Sequence, residues 1–176
     1  MRKVTFGGAI SLDNFLARAD HSVDWLMWCD EAAAVTAEYW KTIDTILMGR
    51  KTYEVALRLG GEAAPRSRGK HTYVFSRTLP SESHGELTIV SGDAAAFVDG
   101  LKRQPGKDIC LMGGGELAAS LFEARLIDEI RFSMHPVLLG AGIPLYHPMS
   151  RQNDLELLDV KIFKNGCVLA SYRVKP

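Results

Sequence analysis

The sequence predicts an α/β domain whose central sheet is mixed, parallel in the middle and antiparallel at one edge. Three observations lead there. Short apolar runs alternate with helix-patterned segments for most of the chain, as in parallel strands joined by crossover helices. The chain then ends on two β-rich runs, Leu155 to Phe163 and Cys167 to Val174, with Asn165-Gly166 between them. Asn-Gly is the strongest short hairpin signal, because both central residues of a type I′ turn need positive φ. Finally, 176 residues, 47% of them hydrophobic, suit one domain with a real core, spanning residues 1–176.

A strand is expected from about Lys3 to Ile10, followed by a polar loop from Ser11 to Ser22. Asp24 to Thr42 reads as helix, broken or bent near Cys29-Asp30, with Asp30 as N-cap of its second part. Ile43 to Met48 is a short strand, and Arg50 to Leu59 a short helix stopped by Gly60-Gly61. The stretch from Gly60 to Lys70, rich in Gly, Pro, Ser and Arg, is a loop. His71 to Ser76 and Leu87 to Ser91 are strands. Asp93 caps a helix running to about Gln104, and Pro105-Gly106 turns the chain back. Asp108 to Met112 is a strand, Gly115 to Ala124 a helix, and Asp128 to Leu139 a long strand.

Lys plus Arg total 21 and Asp plus Glu total 21, so the formal net charge is zero. That balance speaks against a nucleic-acid partner, which calls for a basic excess, and against a polybasic membrane-surface protein. No apolar run approaches the roughly 20 residues of a membrane helix. The N-terminus has no apolar stretch of the signal-peptide kind. Cys29, Cys110 and Cys167 are odd in number, lie far apart in sequence and form no CxxC. Neither a disulfide framework nor a metal site is expected, and reduced thiols in a cytoplasm fit best. The five histidines show no metal-ligand spacing.

Two strand-to-helix turns carry chemistry. Met112-Gly113-Gly114-Gly115-Glu116-Leu117 follows an apolar strand and opens a helix. Glycines let a ligand approach the backbone, and a helix N-terminus offers free N–H donors, so the turn is either a phosphate site or a tight turn alone. A Rossmann reading is set aside: no acid stands about 20 residues on, and the motif comes late in the chain. Gly49-Arg50-Lys51-Thr52 also joins a strand to a helix and places two cations and a hydroxyl at the helix start. Ser76-Arg77 at a third strand end can hold a phosphate monoester. Between Arg50 and Arg77 seven Lys or Arg face only two acids, a local cationic stretch inside a neutral chain. An extended ligand with several phosphates, such as a dinucleotide cofactor, satisfies all three turns.

MGRKTYE (Met48 to Glu54) resembles the cofactor motif of dihydrofolate reductases. GGGELAASLFEARLIDEI (Gly113 to Ile130) and the later PVLLG starting at Pro136 resemble the C-terminal reductase domain of the bifunctional riboflavin-biosynthesis deaminase/reductase. AISLDNFLA (Ala9 to Ala17) is similar to that family's Ser-Leu-Asp-Gly segment, with Asn14 where the family has Gly. The resemblance spans nearly the whole chain in order. It implies a dihydrofolate reductase-like three-layer α-β-α fold that binds NADPH. Gly49, Arg50, Lys51 and Thr52 would hold the cofactor's phosphate and adenosine side, and Ser76 and Arg77 its 2′-phosphate. Gly113, Gly114, Gly115, Glu116 and Leu117 would wrap the pyrophosphate, with a cis peptide at Gly113-Gly114.

Asp13 and Asp24 are the candidate catalytic and substrate-binding acids, with Trp25 beside the substrate. The implied activity is that of a 5-amino-6-(5-phosphoribosylamino)uracil reductase acting as a cytoplasmic homodimer. The Pro-Trp of dihydrofolate reductases has no counterpart in Ala17 to Ser22, which argues against folate, and nothing matches the deaminase half. Dihydrofolate reduction and a non-catalytic nucleotide-binding module are the alternatives.

Overall fold

The computed structural model describes residues 1–58 and 69–176. The loop expected over Gly60 to Lys70 lies mostly outside those residues, as do the Gly60-Gly61 helix stop, Arg66 and Arg68. The strands are β1 (Val4–Ser11), β2 (Phe15–Ala17), β3 (Ile43–Gly49), β4 (His71–Phe75), β5 (Ser83–His84), β6 (Leu87–Val90), β7 (Asp108–Gly113), β8 (Glu129–His135), β9 (Ile143–Pro144), β10 (Leu155–Ile162) and β11 (Val168–Val174). Among the described residues the helices are α1 (Asp30–Lys41), α2 (Arg50–Arg58), α3 (Ala94–Arg103) and α4 (Gly115–Glu123). Nine strands form one sheet in the order β10-β11-β8-β1-β7-β3-β4-β6-β5. The run β8-β1-β7-β3-β4-β6 is parallel; β11, β10 and β5 join it antiparallel. A separate two-stranded ribbon pairs β2 with β9.

The central strands alternate their side chains between two helical layers. On one face Phe6, Leu47, Leu111 and Phe132 pack with Val98 and Leu101 of α3 and Ala118, Leu121 and Phe122 of α4. On the other, Ile46, Met48, Val74 and Ile89 meet Trp40 of α1 and Tyr53 of α2. At the N-terminal ends of the strands, buried Arg2 is held by Asp44, by Thr45 Oγ1 at 2.5 Å and by the Lys107 carbonyl. Buried Lys102 donates to the Leu126 carbonyl at 3.0 Å and to Asp128 at 2.5 Å. Buried cations are tolerated only when paired in this way.

Four expectations are corrected. The first helix begins at Asp30; residues 24–29 are turn and extended chain. Its N-cap is Cys29, whose extended backbone turns the sulfur to accept from Ala32 N–H at 3.4 Å, whereas Asp30 is already helical. The eighth strand ends at His135, because Pro136 follows and Val137 N–H bonds back to the His135 carbonyl. The terminal hairpin turns through three residues. Gly166 N–H bonds to the Phe163 carbonyl and Phe163 N–H to Cys167, and of Asn165 and Gly166 only Gly166 has positive φ, 86°. That is a type I turn with a glycine bulge, not the type I′ turn.

The hairpin leaves one apolar face open. All eight residues of β10 are exposed. A bulge between Leu157 and Asp159 shifts the pairing so that Leu155, Leu157, Val160 and Ile162 sit opposite Val174, Tyr172, Ala170 and Val168. Without it the apolar residues would divide between two faces. They share instead the face that carries the major core, beyond the reach of α4.

Candidate functional site

The chain leaves β1, passes through α1 and enters the sheet at β3; β7 later fills the gap between them. Order reversals of this kind open a crevice at the C-terminal ends of parallel strands. Five strand ends meet there: Ser11, Gly49, Phe75, Gly113 and His135, the first and last directly paired.

The two glycine turns are brought together. β3 runs straight into α2 at Gly49-Arg50, and β7 into α4 through Gly113-Gly114. A Cβ built on Gly49 would touch Gly114 N at 3.6 Å, and one on Gly113 would touch Thr52 Oγ1 at 3.5 Å. Gly113 has φ of 130°, a conformation that side-chain-bearing residues rarely adopt, and the Gly113-Gly114 peptide is cis. Gly114 is the N-cap of α4 and provides no side-chain cap, so the first-turn N–H groups keep their donor capacity. Gly115 is fixed by crowding: a Cβ would stand 2.7 Å from the Leu145 carbonyl and 2.5 Å from the His147 ring. Glu116 is exposed, and Leu117 packs against the core.

α2 begins against the usual rule. Its first turn holds no acid, and Arg50 and Lys51 stand at the positive end of the helix. Arg50 finds Glu54 at 2.6 Å; Lys51 is exposed. Cations placed there are compensated when an anion sits between them and the N–H groups. At the β4 end, buried Ser76 accepts from Thr78 N–H at 3.2 Å and from Leu79 N–H at 2.9 Å, which shapes the turn and leaves exposed Arg77 without an ion-pair partner among the described residues.

The candidate acids do not share one environment. Asp13 Oδ1 accepts from Ser11 Oγ at 2.6 Å and Leu139 N–H at 3.1 Å, and Oδ2 from Gly140 N–H at 2.8 Å. These bonds, the Ser11 hydroxyl foremost, hold its carboxyl below the ordinary range. Asn14, with φ of 63°, makes the turn that aims it. Asp24 stands in the turn before α1, well exposed, and pairs with Arg18 Nε at 2.7 Å, which lowers its pKa. Trp25 is buried edge-on against His135, ring centroids 5.4 Å apart. Trp28 is exposed, and Trp40 belongs to the second core cluster.

Two features escaped sequence reasoning. The segment from Val137 to Leu145 is laced to residues 12–17 by Leu12 N–H to the Val137 carbonyl, by Leu145 N–H to the Asn14 carbonyl and by Asp13 itself. His135, buried at the end of β8, accepts from Met27 N–H at 3.1 Å through Nδ1, and burial lowers its pKa. The only signal for it was its place at a strand end before a proline. Among the described residues no group of three His, Cys, Asp or Glu side chains could hold a metal, and no helix is long and apolar enough to cross a membrane.

Asp13 therefore fastens one wall of the crevice, with a defined pH response. A depressed carboxyl pKa stabilises the contact fully above the unfolded value of about 3.9, and the contribution is lost as pH falls through the folded value. Hydrogen exchange at Leu139 and Gly140 is expected to lose protection below about pH 4. Asp13→Ala should produce the same loss at neutral pH. Unchanged protection in Asp13→Ala would show that the backbone bonds alone hold the segment.

Residues 2–169 match the family model of the RibD C-terminal domain. Two uncharacterized Bacillus subtilis proteins are similar along nearly their whole lengths. YyaP is 32% identical over 184 residues, covering 97% of this chain and 94% of its own; YwjB is 34% identical over 163 residues, 92% of each. Among solved structures, a putative riboflavin biosynthesis protein from Shewanella sp. PV-4 superposes with a TM-score of 0.84 at 22% identity, covering 100% of both chains. The Thermotoga maritima diaminohydroxyphosphoribosylaminopyrimidine deaminase/5-amino-6-(5-phosphoribosylamino)uracil reductase gives 0.71 at 15% identity, covering 99% of this chain and 57% of that one. Enterococcus faecalis dihydrofolate reductase complexed with NADP(H) gives 0.69 at 14%, covering 99% and 97%. These likenesses show the dihydrofolate reductase-like fold. The match over residues 2–169, on the sheet order and glycine turns described above, places this chain in the RibD C-terminal domain family.

Proposed function

We propose that this chain is an NADPH-dependent reductase of a small heterocyclic substrate, on the pattern of 5-amino-6-(5-phosphoribosylamino)uracil reduction. One observation carries the reading: the uncapped α4 start lies against the cationic α2 start, with Gly113, Gly114 and Thr52 in contact between them. Two helix N-termini separated only by glycine backbone suit a pyrophosphate. Arg77, beyond the buried Ser76 turn, suits a 2′-phosphate and so NADPH over NADH. A bound nicotinamide supplies the hydride; the chain supplies placement and charge. Trp25 and His135 form an aromatic wall on the α1 side of the sheet. Asp13 and Asp24, both held ionised near neutral pH, act as acceptors for amino or hydroxyl groups of the substrate.

The second copy belongs to the same reading. Eight exposed residues with four apolar side chains kept on one face through a bulge make an unfavourable solvent surface and a good two-fold contact.

NADPH should bind at least about tenfold tighter than NADH, and Arg77→Ala should remove most of that difference, one charge-assisted contact being worth about 1.5–3 kcal/mol. Calorimetric titration measures this, and NADPH oxidation against aminopyrimidines and dihydrofolate then sorts substrates. Equal affinities, or no change in Arg77→Ala, would remove the assignment of the 2′-phosphate. Binding without turnover on any of them would favour a nucleotide-binding module. Sedimentation should give a dimer that Leu157→Glu with Val160→Glu converts to a folded monomer; a monomeric parent protein would remove the homodimer.

A further inference from the structure

His135 is fixed through one ring nitrogen and open at the other. Met27 N–H donates to Nδ1 at 3.1 Å, and the Cys167 sulfur lies 3.4 Å from the same nitrogen. A backbone N–H has no lone pair to offer, so Nδ1 meets it as an acceptor and carries no proton. The thiol beside it can then only donate. A neutral imidazole with an unprotonated Nδ1 keeps its proton on Nε2. The hairpin turn anchors both groups that face Nδ1: Asn165 Nδ2 donates to the Met27 carbonyl at 3.4 Å, and its Oδ1 accepts from Cys167 N–H at 3.1 Å. Burial favours the neutral ring as well. Nε2 has a different setting. It makes no hydrogen bond to the described residues, yet it is not sealed from solvent: the buried side-chain nitrogens and oxygens without a partner among those residues are Trp25 Nε1, Tyr39 Oη and Arg151 Nε. His135 closes β8 beside its pairing partner Ser11, at the strand ends where the crevice opens. Ser11 Oγ in turn donates to Asp13 at 2.6 Å, and Asp13 Oδ2, with only Gly140 N–H upon it, keeps a lone pair. Neighbouring strand ends thus present a neutral N–H donor and a carboxylate acceptor.

We infer that His135, locked as the Nε2–H tautomer, is a substrate-binding donor that selects a heterocycle with a lactam edge, a ring carbonyl beside a ring N–H. The carbonyl oxygen accepts from His135 Nε2–H, and the ring N–H donates to the Asp13 carboxylate. A ring with amino groups in place of its carbonyls sets a donor against a donor at His135. The imidazole cannot answer by moving its proton to Nδ1, because that would strand Met27 N–H without its acceptor. Selectivity therefore comes from the hairpin side of the fold, through Asn165 and Met27, and not from the glycine turns. The inference rests on the reductase reading of the same crevice and concerns its substrate side alone.

Long-range proton–nitrogen NMR spectra of the imidazole test the tautomer in the parent protein: Nε2 should carry the proton at neutral pH and Nδ1 none. Calorimetry on the protein saturated with NADP+, at a slightly alkaline pH where both rings are neutral, then compares 5,6-diaminouracil with 2,4,5,6-tetraaminopyrimidine. The uracil should bind at least about tenfold tighter, the penalty expected when a buried donor is left unmatched. His135→Asn keeps an acceptor near the Nδ1 position for Met27 N–H and lacks the outer donor. It should retain its NADP+ affinity and lose most of the preference for the uracil. A proton on Nδ1, equal binding or no binding of the two probes by the NADP+-loaded protein, or an unchanged preference in His135→Asn would overturn the inference and leave the reductase reading standing. A parent protein that binds no NADP+ would remove the reductase reading and this inference with it.

Discussion

The insertion of β7 between β1 and β3 is the constraint on which the crevice depends. It makes two strand-to-helix turns neighbours, and neighbours at that range must be nearly bare backbone. Gly113 is at φ of 130° and stands against Thr52; Gly115 is pressed by the Leu145 carbonyl. The same crowding leaves α4 without a side-chain cap and so with N–H groups able to serve a ligand. What elsewhere would be a weak helix start is here a surface for anions.

The two ends of the sheet divide stability from chemistry. At the N-terminal ends, Arg2 and Lys102 are buried and fully engaged by Asp44, Thr45 and Asp128. At the C-terminal ends, cations face helix starts and a guanidinium lies exposed. Local rules are broken on one side and kept on the other, the pattern expected where a scaffold holds a site under tension with its own preferences. Asp13 bridges the two demands: it occupies the crevice mouth yet spends its oxygens on the Leu139 and Gly140 backbone.

Much of this was legible along the chain, because it rests on local signals. The alternation of strands and helices, the Asp93 cap and both glycine turns follow from residues a few positions apart, and the structure has them. The misreadings come from contacts that local pattern does not carry. Asp24 to Trp28 has helix-compatible residues, but Trp25 is drawn into a buried contact with His135, over a hundred residues away, and the helix waits until Cys29 can cap it. The β2 and β9 ribbon is too short for periodicity and exists because the two segments meet. The apolar face of β10 was visible as a β-rich run, yet only the bulge reveals that its side chains share one face.

The central claim, that the joined glycine turns receive the phosphates of a dinucleotide, is tested most directly by amide chemical shifts during titration with NADPH. The largest changes are expected at Arg50 to Thr52, at Arg77 and at Gly115 to Leu117, with Lys102, Arg2 and the hairpin strands unmoved. Saturable changes confined to other parts of the molecule, or none at all, would contradict it.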